Sequence, residues 1–149
     1  MTKFVAVKTF EAYRLITHAR KPLVLAGRGI RIANAMQELE AFLEMNHLCV
    51  VTTYLGKDCT TSSFGVIGIK GREEANQMLK ESDVLLVLGA SLPIAQMGYE
   101  PEFFFQRQVI IVNIEPPNKL TKPMLFIQAD VKEFFYEFGQ FLRVPQLEY

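Results

Sequence analysis

At 149 residues and 17.0 kDa the chain has the size of one domain, too small for two comfortable cores. Half of the residues are hydrophobic and 21% are charged, a globular balance that excludes a disordered or low-complexity chain. Sixteen basic residues balance sixteen acidic ones with no local Lys/Arg cluster, which argues against nucleic acid as a partner, and no apolar run is long enough to cross a bilayer.

In chain order, Thr9 reads as the N-cap of a first helix, with Ala12, Leu15, Ile16 and Ala19 at helical spacing until Lys21-Pro22 stops the pattern. Leu23-Val24-Leu25-Ala26 is a short continuous apolar run closed by Gly27-Arg28-Gly29, the mark of a buried parallel strand entering a tight turn. Ile32, Met36, Leu39 and Leu43 share one face of a second helix, and Leu48-Cys49-Val50-Val51 forms a second strand that the polar Thr52-Thr53 ends. A third helix is expected from Arg72 to Ser82, followed by the strongest strand, Asp83 to Gly89. A short helix around Pro101 to Gln106 precedes strands at Val109 to Asn113 and Leu125 to Gln128. Asp130 then caps a last helix whose Phe134, Phe135, Phe138, Phe141 and Leu142 read as core packing.

Strands alternating with helices, and apolar on both faces, imply a three-layer α/β/α Rossmann-like domain with a mainly parallel sheet. One domain over 1–149 is expected, with its ordered core at about 9–143. Cys49 and Cys59 lack the spacing of a disulfide framework or a zinc site, so reduced thiols in a cytoplasmic protein are expected, and Met1 to Val5 lacks a signal-peptide layout. His18 and His47 read as surface or helix-end residues.

Ligands of such sheets bind beyond the carboxyl ends of the strands, which directs attention to Gly27, Thr53, Gly89 and Asn113. Gly27-Arg28-Gly29 would let the backbone approach a phosphate and leave helix amides to receive it. The ordinary NAD fingerprint fails, because Thr52 and Thr53 stand where an acid should meet the ribose. About eighteen residues with little pattern separate Thr53 from Gly71, longer than most structural connections, and both a glycine-pinned surface excursion and a ligand-contacting loop stay open. Cys59 to Ser63 supplies a thiol and hydroxyls without a paired histidine, so no nucleophile is expected there. Glu115 follows a strand, where it either accepts from a ribose hydroxyl or is a solvated loop acid. No carboxylate pair, metal cluster or Walker loop is present, so no catalytic residue and no metal ligand is assigned.

The string Arg20 to Arg31 resembles the opening of the central domain of thiamine-diphosphate enzymes of the acetolactate-synthase and pyruvate-decarboxylase type. The resemblance continues in order through Val50-Val51-Thr52-Thr53 with Gly56-Lys57-Asp58, Gly65 to Gly71 with Ala75-Asn76, Asp83 to Gly89, Asn113-Ile114-Glu115-Pro116, and Asp130. It implies a domain of the DHS-like NAD/FAD-binding type with about six strands, one a short edge strand beyond the five read above.

It also implies that this chain is the middle of three domains, an excised piece or fragment that is not catalytic alone. The parent would be a homo-oligomer acting on a 2-oxo acid with thiamine diphosphate and Mg²⁺ held by the two other domains. In this family the central domain holds FAD, an adenine nucleotide, or nothing. Positions matching its dinucleotide contacts are Gly27, Arg28, Gly29, Thr53, Leu55, Gly56, Gly89, Ala90, Ser91, Asn113, Glu115 and Asp130. Ser91-Leu92-Pro93-Ile94-Ala95-Gln96 replaces the charged run of flavin-binding members, and Asn113 and Glu115 stand where two aspartates are common. These departures point to no tightly bound FAD and at most a weakly held adenine nucleotide. The alternative is an independent FAD- or NADP-binding module resembling those of electron-transfer flavoproteins and transhydrogenases.

Overall fold

The computed structural model of the protein describes residues 2–90, 92, 98–117 and 123–143. Nothing between Thr2 and Thr17 breaks a helix, and these residues form α1 (Thr2–Thr17), burying Val5, Thr9, Ala12 and Ile16 along one face. Thr9 is therefore not the N-cap expected from its residue type. It lies mid-helix, fully buried, and its hydroxyl finds no partner among the described residues.

Pro22 opens β1 (Pro22–Ala26), the strand position that needs no amide. The expected second helix is broken in two, α2 (Gly29–Ile32) and α3 (Met36–Asn46), because Asn34 takes a left-handed conformation at φ 55°. The break turns Ile32 out of the core face it would share with Leu39 and Leu43, leaving it 68% exposed. His47 closes α3 in the left-handed conformation, and His18 follows α1 with its Nδ1 2.8 Å from the Arg14 carbonyl, so both histidines stand at helix ends.

The remaining elements follow the sequence pattern: β2 (Cys49–Thr52), α4 (Glu73–Glu81), β3 (Val84–Leu88), α5 (Pro101–Phe104), β4 (Gln108–Asn113), β5 (Leu125–Gln128) and α6 (Val131–Arg143). Asp130 caps α6 by accepting the Lys132 amide at 2.8 Å. All strand pairs are parallel, in the order β2-β1-β3-β4-β5, with Leu25 opposite Val51 on one side and Val87 on the other.

Residues 64–67 run alongside the outer edge of β2. The Phe64 amide donates to Val50, the Thr52 amide to Gly65 and the Ile67 amide to Thr52, at 2.9 to 3.0 Å. This strip is the short sixth edge element, and with it the sheet has the doubly wound order of dinucleotide-binding folds.

Alternate strand residues feed two cores. Val24, Val50, Leu86, Ile110 and Ile127 face α1, α3 and α6, whereas Leu25, Val51, Leu85, Val87 and Ile111 face α4 and α5. The first core is sealed by rings: Phe42 of α3 meets Phe138 of α6 edge-on at 4.9 Å, and Tyr13 of α1 meets Phe138 at 5.5 Å. The last helix buries Phe134, Phe135 and Phe138 as expected, but Phe141 is half-buried and Leu142 is exposed. Among the described residues no helix is long and apolar enough to cross a membrane.

Asp83 stands one residue before β3 and does not begin it. Its carboxylate accepts the amides of Arg20 (2.8 Å) and Lys21 (2.9 Å), tying the turn after α1 to the edge of β3. Partial burial opposes its ionisation, but these backbone donors outweigh it and hold the carboxyl below the usual carboxylate range.

Two outcomes follow. Phe138→Ala should cost about 3 to 5 kcal/mol in urea unfolding, a large part of a typical stability, whereas Leu142→Ala should stay within about 0.5 kcal/mol. Because a depressed carboxyl stabilises above its unfolded value and loses that contribution as pH falls through the folded one, Asp83→Asn should lower the thermal midpoint at pH 7. The gap from the unmutated chain should close below about pH 4; a gap that persists unchanged there would refute the linkage.

Candidate functional site

Where β1 and β3 end, the chain has gone to β2 on one side and continues to β4 on the other, so their carboxyl ends form the switch point of the sheet. Gly27 and Gly29 follow β1, and Gly89 follows β3 with φ +66°. The Gly27 amide donates to Leu88 at 2.9 Å, the Gly29 amide to Gly89 at 2.8 Å, and the Gly89 amide to Val112 at 3.0 Å. The Gly27 and Gly29 amides are thus taken up by the last residue of β3 and the turn after it, and are not bare as their sequence position suggests. Their lack of side chains serves packing: a Cβ on Gly29 would lie 2.7 Å from the Gly89 Cα.

Above this contact lies an open cleft of about 770 Å³, within the usual range for small-molecule sites. Of the residues singled out from sequence, Arg28, Gly29, Thr53, Leu55, Gly89, Ala90, Asn113, Glu115 and Asp130 all line it. Gly27 and Gly56 lie beneath its floor, where a Cβ on Gly56 would meet the Gly27 backbone at 2.7 Å. Ser91 and Pro93 to Gln96 lie outside the described residues, and Leu92 is buried.

The polar groups of the cleft are not equivalent. The Thr53 hydroxyl accepts the Gly56 amide at 3.2 Å and shapes the turn after β2. Asn113 Oδ1 accepts the Ile114 amide at 3.0 Å, and the Asp130 carboxylate is engaged as the α6 cap. Arg28, Lys70 and Glu115 are exposed and form no ion pair among the described residues. By strand order, Lys70 and Arg28 stand on the β2 and β1 side of the cleft, and Glu115 and Asp130 on the β4 and β5 side.

Sequence reasoning did not assign the wall made by Tyr54 and by Val66 to Lys70. Ile69, 79% exposed at the cleft mouth, and Tyr54 with the Lys57 ammonium 4.4 Å from its ring centre are apolar groups held out of the core. The available signal was an isoleucine and a tyrosine in a glycine-rich run with no strand or helix period.

Residues 10–138 match the family described as the thiamine pyrophosphate enzyme central domain. The chain belongs to this family. The central domain is 33% identical over 110 residues to the probable acetolactate synthase large subunit of Methanococcus aeolicus, covering 71% of this chain and 18% of that protein. It is 35% identical over 131 residues to the 3D-(3,5/4)-trihydroxycyclohexane-1,2-dione hydrolase of Bacillus cereus strain AH820, covering 83% of this chain and 20% of that one. The acetolactate synthase large subunit of Pyropia yezoensis is 30% identical over 138 residues, 89% of this chain and 23% of its own length. The domain therefore spans about a fifth of these relatives.

Among the described residues no group of three His, Cys, Asp or Glu side chains could hold a metal ion, so these residues do not fit the magnesium of thiamine diphosphate. Both cysteines are free. Burial pushes the Cys59 thiol up to about 11, so it stays protonated at neutral pH and offers no nucleophile.

The glycine contact under the cleft is open to direct test. Gly29→Ala should force the turns after β1 and β3 apart and destabilise the domain by about 1 to 3 kcal/mol in urea titration; an unchanged midpoint would refute the close packing.

Proposed function

We propose that this chain is the non-catalytic central domain of a thiamine-diphosphate-dependent enzyme of the acetolactate-synthase type, and that its cleft takes an adenine nucleotide. In this reading two further domains of the parent hold thiamine diphosphate and Mg²⁺, the parent is a homo-oligomer in the cytoplasm, and its substrate is a 2-oxo acid.

The observation that carries the nucleotide reading is the division of charge across the switch point. Arg28 and Lys70, without ion-pair partners among the described residues, offer cations to phosphates on one side, while Glu115 and Asp130 offer carboxylate acceptors to ribose hydroxyls on the other. The apolar Leu55, Ile69 and Ile114 supply surface for a base. With the acids beyond β4 and β5 and threonines at the end of β2, the ribose side lies across the sheet from its place in ordinary NAD sites.

Tight flavin binding is not part of this reading. A flavin tail reaching beyond one domain buries less of itself on that domain alone, and affinity falls accordingly.

Calorimetric titration of the purified chain with ADP should show weak saturable binding, weakened roughly tenfold by Glu115→Ala, the equivalent of about 1.4 kcal/mol. The preparation should be colourless, and thiamine diphosphate with Mg²⁺ should give neither heat nor release of CO₂ from pyruvate. A yellow preparation with stoichiometric FAD, or no heat with ADP, would overturn the cleft assignment. A coding frame with no Gly-Asp-Gly to Asn motif downstream, the motif by which enzymes of this type hold magnesium and diphosphate, would overturn the proposed parent.

A further inference from the structure

Lys70, one of two cations lining the cleft among the described residues, belongs to no regular element. It sits with Gly68 and Ile69 on a rim between the 64–67 strip and α4, and Gly68 holds φ at +115°, a conformation side-chain-bearing residues rarely adopt. A carboxamide on α4 anchors this rim. Asn76 Oδ1 accepts the Gly68 amide at 2.9 Å, and Asn76 Nδ2 donates to the Gly68 carbonyl at 2.9 Å, so one side chain grips both polar groups of one backbone residue.

The grip is saturated. The second Nδ2 hydrogen goes to the Arg72 carbonyl at 3.1 Å, and Tyr99 donates its hydroxyl to Oδ1, so both acceptor sites and both donors of the amide are engaged. Burial raises the Tyr99 hydroxyl above its ordinary range, which keeps it a donor at neutral pH. The rim closes on itself around this anchor, with the Gly71 amide on Gly68 and the Arg72 amide on Val66, both at 2.9 Å.

We propose that Asn76 is the positioning residue of the cleft's basic side: it touches no ligand, and it sets the Gly68–Lys70 rim so that the Lys70 ammonium meets a phosphate. The part concerning phosphate rests on the nucleotide reading above; the clamp itself does not. Asp is the discriminating replacement, because it keeps the shape and both acceptor bonds yet has no hydrogen to offer the Gly68 and Arg72 carbonyls.

The test uses the whole 149-residue chain in two measurements. Hydrogen exchange without ligand should speed up in Asn76→Asp by roughly tenfold at the amides of residues 66–72, the size expected when backbone bonds of one turn are lost, while β3 stays protected. ADP titration should show Asn76→Asp weakening binding as much as Lys70→Ala does, with no further loss in the double variant. Should Asn76→Asp fold poorly, Tyr99→Phe removes one bond to the same carboxamide and should shift both readouts the same way by less.

Unchanged exchange at residues 66–72 would overturn the clamp. Faster exchange with ADP affinity held, while Lys70→Ala weakens binding, would overturn its role toward the ligand. Faster exchange with no ADP binding by any variant would sink the nucleotide reading and leave the clamp standing.

Discussion

Backbone meets backbone where β1 and β3 end, and the geometry there admits no side chain. Gly29 lies against Gly89, Gly27 against Ala90, and Gly56 against Gly27, each closer than a Cβ could be accommodated. That contact draws the turns after β1, β2 and β3 into one floor, continuing the hydrogen bonding of the parallel sheet past its last paired residues. The cleft exists because the strands diverge in connection at this point while their ends are held together beneath it. Glycines that look like a phosphate signature are thus first a packing requirement, and side chains around the rim carry the polarity of the site.

Below that floor the two layers of helices differ in kind. The α1, α3 and α6 side is closed by an interlocked set of aromatic rings, those of Tyr13, Phe42, Phe134, Phe135 and Phe138 meeting at edge-on or tilted angles. On the α4 and α5 side Tyr99, Phe103, Phe104 and Phe105 form a smaller ring cluster, with the Arg107 guanidinium over the Phe103 ring. This half-buried guanidinium donates to the carbonyls of Phe103, Phe104 and Leu79 and to the Ser82 hydroxyl, stitching the end of α4 to α5. The cleft wall built from residues 66–70 leans on this second side, held by Ile67 buried in its core and by the Asn76 carboxamide on Gly68.

The strands were legible because strands covered on both faces read as continuous apolar runs; Leu23 to Ala26, Val84 to Leu88 and Leu125 to Gln128 could be little else. The break between α2 and α3 was not, because Ile32 and Met36 keep helical spacing and only the left-handed Asn34 separates them. Thr9 misled for a related reason: its type favours caps, but its burial is decided by neighbours one turn away. In the cleft, the rule that ligands meet strand ends pointed to Thr53, Gly89 and Asn113, and the family resemblance added Arg28 and Asp130. Ile69 and Lys70 escaped it, since they follow no strand with a pattern of its own and are placed by a side chain on the next helix.

The pairing of α1 with α6 has a mechanical consequence. Phe10 meets Phe141 at 5.2 Å and Tyr13 meets Phe138, so the two helices run antiparallel and the first and last described residues of the domain come out at the same end. Tension applied through both flanks would not shear this interface as a block. It would open it like a zipper, Phe10 from Phe141 first and then Tyr13 from Phe141 and Phe138. Such a domain yields at low force from its ends while its parallel sheet, loaded only after α1 has been peeled away, retains its register.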